Sequence, residues 1–252
     1  VNDGALSSKS CKSVISDLPS HMQVPNALEG QYAELILKSM IYGFHSTAIL
    51  VTNPDGVVLV ANKIAALGFP DMTVESVKGM NFLDMAPKEW ALERIEFMKL
   101  AIERKHPLLV IEVLDGTRLC STISPIEIPW EDDSQWILLF TVEQITPMKL
   151  QWLRKTKLPE ELIDAKFIDL GPLSALTPRE LEVLALMGHG LRQKQIAEKL
   201  HRSVSTIDRH RERIGEKLGI TDRIDLVAMA REAALEVVDA TRTNTPFGHS
   251  YD

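Results

Sequence analysis

Two kinds of hydrophobic spacing divide the chain. From Leu28 to about Phe44, Tyr32, Leu35, Ile36 and Met40 recur on one helical face. Residues 47 to 143 instead carry short apolar runs bounded by turn residues, which predict strands over Thr47–Thr52, Val57–Ala61, Leu108–Leu114, Thr117–Ile128 and Gln135–Glu143. Asn53-Pro54-Asp55-Gly56 and Asp115-Gly116 are the sharpest turn signals, and Glu131-Asp132-Asp133-Ser134 reads as a loop. Between the second and third strands, Asn62 caps a helix over Lys63–Leu67 that Gly68 closes. Short helical pieces follow around Val74–Val77 and Phe82–Met85. A longer helix then runs from about Lys88 to Arg104, with Trp90, Arg94, Phe97, Met98 and Ala101 near one stripe, until His106-Pro107 breaks it.

Helical spacing returns at Leu176. Thr177 suits an N-cap, Pro178 the first helical position, and Glu180 lies where its carboxylate reaches back to the cap. Leu181, Leu184 and Ala185 carry the apolar stripe to Met187, and Gly188 or Gly190 ends it. A second helix covers Gln193 to Leu200, His201-Arg202-Ser203 makes the turn, and a third runs from Val204 to Leu218 before Gly219. Two helices across a tight turn are a helix-turn-helix. At 100° per residue, Ile207, His210, Ile214 and Leu218 share the buried side of the third helix. Ser205, Arg209, Glu212 and Glu216 point away, flanked by Thr206, Asp208 and Arg213. A fourth helix from about Arg223 to Val238 has Leu226, Val227, Ala230 and Ala234 along one side, more apolar surface than a lone terminal helix needs. The connector from Gln144 to Gly171 reads as a short helix plus an ordered linker.

Charge sharpens the second half. The chain is formally at −7, yet Arg192–Arg223 holds nine Lys/Arg against five Asp/Glu. A basic segment inside an acidic protein is the electrostatic footprint of a phosphate backbone. Residues 1–170 carry 16 Lys/Arg against 23 Asp/Glu, so that half should not bind nucleic acid by itself. A solvated three-helix bundle is the bland alternative for the basic segment.

The helical segment resembles the LuxR-type helix-turn-helix of bacterial transcription regulators. The matching residues are Leu176-Thr177-Pro178-Arg179-Glu180, Glu182-Val183-Leu184, Gly190, Lys194, Ile196-Ala197, Leu200, Ser203, Thr206-Ile207, His210, Ile214, Lys217-Leu218-Gly219 and Arg223. The resemblance implies four helices, the third in the major groove and the fourth serving in dimerisation. Asp208 and Glu212 depart from the pattern, since many members carry Lys or a neutral residue facing DNA. The element order of the first half resembles a PAS domain over roughly residues 28–145. Its anchors are Asn53-Pro54-Asp55-Gly56, Ala61-Asn62 followed by Ala65, and Phe82-Leu83-Asp84-Met85. That family encloses a pocket used for haem, flavin, small metabolites or nothing.

Candidate pocket chemistry is thin. Haem needs an axial histidine, and only His45 and His106 lie in this half. The light-sensing flavin subclass needs a cysteine that Met80-Asn81-Phe82-Leu83 lacks. Met72, Met80, Met85 and Met98 suit either an adaptable pocket or a core. Cys120 reads as a small core residue, and Cys11 lies too far from it to suggest a disulfide. The Asp132-Asp133 pair lacks the strand-helix alternation of a phosphoacceptor domain. No residue set proposes covalent catalysis, so no enzyme is expected.

The expected fold class is α+β: a PAS-like five-stranded antiparallel sheet with helices, then an all-α four-helix LuxR-type domain. Expected boundaries are a disordered leader over 1–27, a PAS-like sensory or dimerisation domain over 28–145, a linker over 146–171, the DNA-binding domain over 172–238 and a flexible tail over 239–252. The expected function is sequence-specific transcription regulation in the cytoplasm. The alternative is a haem- or metabolite-binding sensor whose helix-turn-helix acts mainly in protein–protein interaction. Candidate DNA-contacting residues are Lys194, Ser203, Ser205, Thr206, Arg209, His210, Glu212, Arg213 and Lys217. Expected partners are double-stranded DNA, a second copy as a homodimer and RNA polymerase. No membrane is expected, since no apolar run is long enough to span one. Neither cofactor nor metal is named by the residues.

Overall fold

The computed structural model describes residues 46–69, 71–130, 133–156 and 161–247. The leader and the helix expected from Leu28 lie outside these residues.

Strands β1 (Ala48–Thr52) and β2 (Val58–Ala61) form a hairpin across the predicted Asn53–Gly56 turn. Asn53 Oδ1 accepts from the Asp55 and Val57 amides, and Gly56 takes φ +85°. Helices α1 (Lys63–Leu67), α2 (Val74–Val77), α3 (Phe82–Met85) and α4 (Lys88–Arg104) come next. Asn62 does more than cap α1. Its Oδ1 accepts from the Ala65 and Ile49 amides, and its Nδ2 donates to the Thr47 carbonyl, which locks the helix to β1. Strands β3 (Leu108–Leu114), β4 (Thr117–Trp130) and β5 (Asp133–Gln144) complete an antiparallel meander.

The sheet has six strands rather than the expected five, in the order β2-β1-β5-β4-β3-β6. The added strand, β6 (Glu161–Asp164), comes from the linker and pairs in parallel with β3. It is preceded by helix α5 (Pro147–Lys155) and followed by the two-residue β7 (Phe167–Ile168).

Period-two alternation on β3 serves three cores at once. Leu108 and Val110 pack with Trp90, Ala91, Met98 and Ala101 of α4. Ile111, on the opposite face, packs with Cys120, Ile145, Leu150 and Leu153 under α5. Val113 joins the core of the helical half with Ile168, Leu173 and Leu184. That is why the strand reads as nearly unbroken apolar sequence. Cys120 is buried, and burial pushes its thiol up to about 11, which keeps it an unreactive core residue.

The helical half comprises α6 (Pro178–Gly188), α7 (Gln193–Lys199), α8 (Val204–Leu218) and α9 (Arg223–Ala233). The capping box of Thr177 and Glu180 forms as the sequence predicts. Helix α9 ends five residues earlier than expected, at Ala233, with Ala234 as its C-cap in the left-handed region at φ +51°. Its apolar side is also not spare: Leu226 and Ala230 are buried within the chain's own helical core, Val227 packs against it, and Ala234 is buried too. The tail changes most. Instead of fraying from 239, the chain forms a 3-10 turn (Val237–Thr241) and a strand β8 (Thr243–Asn244) parallel to β7.

Gly188 sits where α6 crosses α9, and a Cβ there would collide with the Ala230 carbonyl. Gly188→Ala is therefore expected to destabilise the chain by about 1–3 kcal/mol through overpacking. Urea unfolding checks this, with Gly190→Ala as a comparison at a site open around its Cβ position but left-handed in backbone.

Candidate nucleic-acid interface

Helix α8 begins with Ser203 as its N-cap. Ser203 Oγ accepts from the Thr206 amide at 3.2 Å and shares hydrogen bonds with Ser205 Oγ at 2.9 Å and Thr206 Oγ1 at 2.8 Å. The serine cap and Gly219, at φ +68°, hold the helix to the bounds its sequence predicts. Ile207 and Ile214 are buried, while Ser205, Arg209, Glu212 and Arg213 are exposed on the opposite side. Ser203 and Lys194 are exposed too, and Thr206 and His210 are half-buried at the flank.

Asp208 and Glu212, the two residues that depart from the family pattern, have different surroundings. Asp208 accepts a hydrogen bond from Gln193 Nε2 on α7 and lies 3.5 Å from Arg211 Nη2. It therefore fixes α7 against α8. Among the described residues, neither Arg209 nor Glu212 has an ion-pair partner, so both point outward uncommitted. Lys217 is placed differently from the other candidates. Its ammonium donates to Glu180 Oε2 at 2.7 Å, tying the end of α8 to the start of α6. Burial pushes the Glu180 carboxyl up, but Lys217 and the Thr177 amide outweigh it and hold the carboxyl below the usual range.

Three long-range contacts that position the helices could not be read from the sequence. Gln193 holds the angle between the two helices, Arg179 Nη2 donates to the Leu200 carbonyl at 2.9 Å, and Glu180 anchors Lys217. Only Glu180 had a local signal, its place in the capping box.

The sheet half holds a second feature, a cavity of about 280 Å³ between the sheet and its helices. Its walls are mainly apolar, including Leu50, Phe69, Phe82, Trp90 and Phe140, with Arg94, Glu112 and Ser121 as polar lining. Arg94 is 2% exposed and Glu112 is 3% exposed, and the guanidinium donates through Nη2 to Glu112 Oε2. Ser121 Oγ donates to Glu112 Oε1, and the guanidinium carbon lies 4.6 Å from the Trp90 ring centroid. Arg94 Nε and Trp90 Nε1 are buried donors that no described group accepts from. His106, the haem candidate among the described residues, is exposed and lines no part of this cavity. The four methionines do not line it either; Met85 and Met98 are core. Among the described residues, no group of histidine, cysteine and carboxylate side chains is arranged to hold a metal.

The family model described as bacterial regulatory proteins, luxR family, matches residues 174–230. These residues form a LuxR-type helix-turn-helix domain. Oxygen regulatory protein NreC of Staphylococcus aureus is 42% identical over 64 residues, which is 25% of this chain and 30% of that protein. The chain thus matches less than a third of that curated relative's length. A Vibrio VqmA–ligand–DNA complex is similar to 83% of this chain, covering 91% of its own, at 19% identity and a TM-score of 0.45. The PAS domain of nitrogen regulation protein NR(II) from Vibrio parahaemolyticus is similar to 43% of this chain, covering 98% of its own, at 22% identity and a TM-score of 0.32.

Within the LuxR-type domain, α7 and α8 are the helix-turn-helix pair. The turn between them passes through His201 in the left-handed region at φ +54°. Such a short turn leaves Ser203, Ser205 and Arg209 exposed on the outward face of α8, which is the access a groove requires.

Proposed function

We propose that this chain is a sequence-specific DNA-binding transcription regulator whose PAS-like half is its sensory module. The observation that carries the reading is Arg209: exposed and unpaired on the outward face of α8, whose packing angle Asp208 and Gln193 hold. A guanidinium so placed meets guanine O6 and N7, while the Ser203, Ser205 and Thr206 hydroxyls and Lys194 suit phosphates. That NreC is named a regulatory protein agrees with this. The protein works as a cytoplasmic homodimer on half-sites about one helical turn apart, with RNA polymerase downstream. Because the apolar side of α9 is consumed internally, the face left for a second copy carries Ile224, which is 78% exposed, and Ala228. Among the described residues, no helix is long and apolar enough to cross a membrane.

The sensory part rests on the cavity. Its volume and two orphan donors suit a small, mainly apolar ring compound that offers a hydrogen-bond acceptor.

Binding to genomic DNA should be tight at low salt and fall log-linearly as salt rises; absence of binding at low salt sinks the reading. Arg209→Ala is expected to cost about 1–3 kcal/mol on the selected site and relax preference at one base pair. Lys194→Ala should weaken all sequences alike and reduce the salt slope by about one. Lys217→Ala should act chiefly on stability, since that ammonium is engaged by Glu180. Glu212→Gln asks whether this carboxylate reads a cytosine amino group. Altered base preference in a selection from randomised duplexes is expected, and uniform tightening would make Glu212 a repulsive surface charge.

A further inference from the structure

The polypeptide that leaves the LuxR-type domain returns to the sheet half and reaches the cavity. At the turn after α9, the Ala234 carbonyl accepts from Arg118 Nε of β4 at 3.0 Å. Arg242 then lies 3.1 Å from Asp164 of β6. Strand β8 pairs with β7, and the Thr245 amide donates to the Ile168 carbonyl at 2.7 Å. Asn244 Oδ1 accepts from the Leu170 amide at 2.9 Å, and Asp169 Oδ2 accepts from the Phe247 amide at 3.4 Å. This course delivers one aromatic side chain to the cavity wall. The Phe247 ring stands 5.0 Å from that of Trp90 at 83°, and 6.4 Å from that of Phe69. Trp90 is also the ring on which Arg94 rests.

We propose that residues 243–247 are a strap through which the DNA-binding half closes the sensory cavity, with Phe247 as the residue that registers whether the cavity is filled. The inference rests on the sensory reading of that cavity. A ring compound inside it packs against the wall that Phe247 completes, so filling the cavity holds the strap down. By reciprocity, holding the strap down tightens the ligand. The strap is suited to moving because its strand is only two residues long. Such a segment opens at a small fraction of the cost of the whole fold. It is also covalently continuous with α9, so its docking constrains where the helical half sits.

Hydrogen exchange on the full chain tests this, comparing wild type, Phe247→Ala and Phe247→Trp. Without ligand, Phe247→Ala is expected to speed exchange several-fold over 243–247, with α8 unchanged, and Phe247→Trp should restore protection. The probe is 2-pyridone, a small ring with a carbonyl acceptor. In the wild type it should slow exchange over 243–247. Phe247→Ala should bind it about two- to tenfold more weakly, the span that loss of one edge-to-face ring contact allows, and lose the slowing. Strap exchange in Phe247→Ala that equals wild type overturns the proposal. So does 2-pyridone that binds the wild type and leaves 243–247 unaffected. If the wild type does not bind 2-pyridone, the sensory reading fails for this ligand class, and the ligand-free comparison still decides whether Phe247 holds the strap.

Discussion

Replacing Asp239 by alanine is expected to destabilise the full chain by about 3–5 kcal/mol, the cost of leaving a buried charge without its partner. The charge is Arg118, which is 0% exposed on β4 and donates through Nη2 to Asp239 Oδ2, itself in a residue 1% exposed. Burial pulls the Arg118 guanidinium below its ordinary value, and the Asp239 carboxylate offsets part of that pull. The same carboxylate accepts from the Glu236 amide at 2.7 Å, so alanine also removes the cap of the last 3-10 turn. Asp239→Asn separates the two effects, since an amide retains the cap and drops the charge. A double replacement, Arg118→Met with Asp239→Leu, should recover most of the loss, because an apolar pair of similar volume needs no desolvation of ions. Urea titrations of the wild type, Arg118→Met, Asp239→Leu and the double replacement give the coupling energy directly. A coupling near zero would mean that solvent reaches Arg118 and that the tie between sheet and helical half is weak.

How much of this was legible in the sequence depends on the range of the interaction involved. Thr177, Glu180, Ser203 and Gly219 act within four residues of themselves, so the helices they bound could be read from residue order. Asn62 and the Asn53–Gly56 turn were legible for the same reason. Strand β6 was not. Its four residues have no strand signature beyond two apolar positions, and it exists because β3 offers an unpaired edge. The strap is the extreme case. The polar stretch Thr241-Arg242-Thr243-Asn244-Thr245-Pro246 looks like a fraying end, but its bonds are made by backbone groups and by Asn244, whose acceptor role carries no pattern. One signal did exist: Phe247, a large apolar side chain in a polar stretch. Arg118 and Asp239, 121 positions apart, have no local correlate at all. At the interface, the spacing placed Arg209 outward, but it could not tell that Asp208 serves Gln193 while Glu212 serves no described neighbour.

Glu112→Ala is the second large effect expected, again about 3–5 kcal/mol, because it strands the Arg94 guanidinium in the wall of the cavity. Among the described residues, two carboxylates pair with Arg94. Glu112 accepts from its Nη2, and Glu93 lies 3.4 Å from its Nη1 while also accepting from the Lys166 amide at 2.7 Å. Glu93 is therefore occupied in holding α4 to the segment before β7, and cannot replace Glu112. Ser121 loses its acceptor in the same variant. The hole lies beside a cavity, so a small carboxylate can refill it, which gives a test that separates a lost ion pair from general damage. Acetate should raise the midpoint of thermal unfolding of Glu112→Ala and leave the wild type unchanged, since a ligand stabilises only the form that binds it. Formate should act similarly, and chloride at equal ionic strength should do less. Equal responses of variant and wild type would mean that Arg94 is reached by water and that the polar end of the cavity is open.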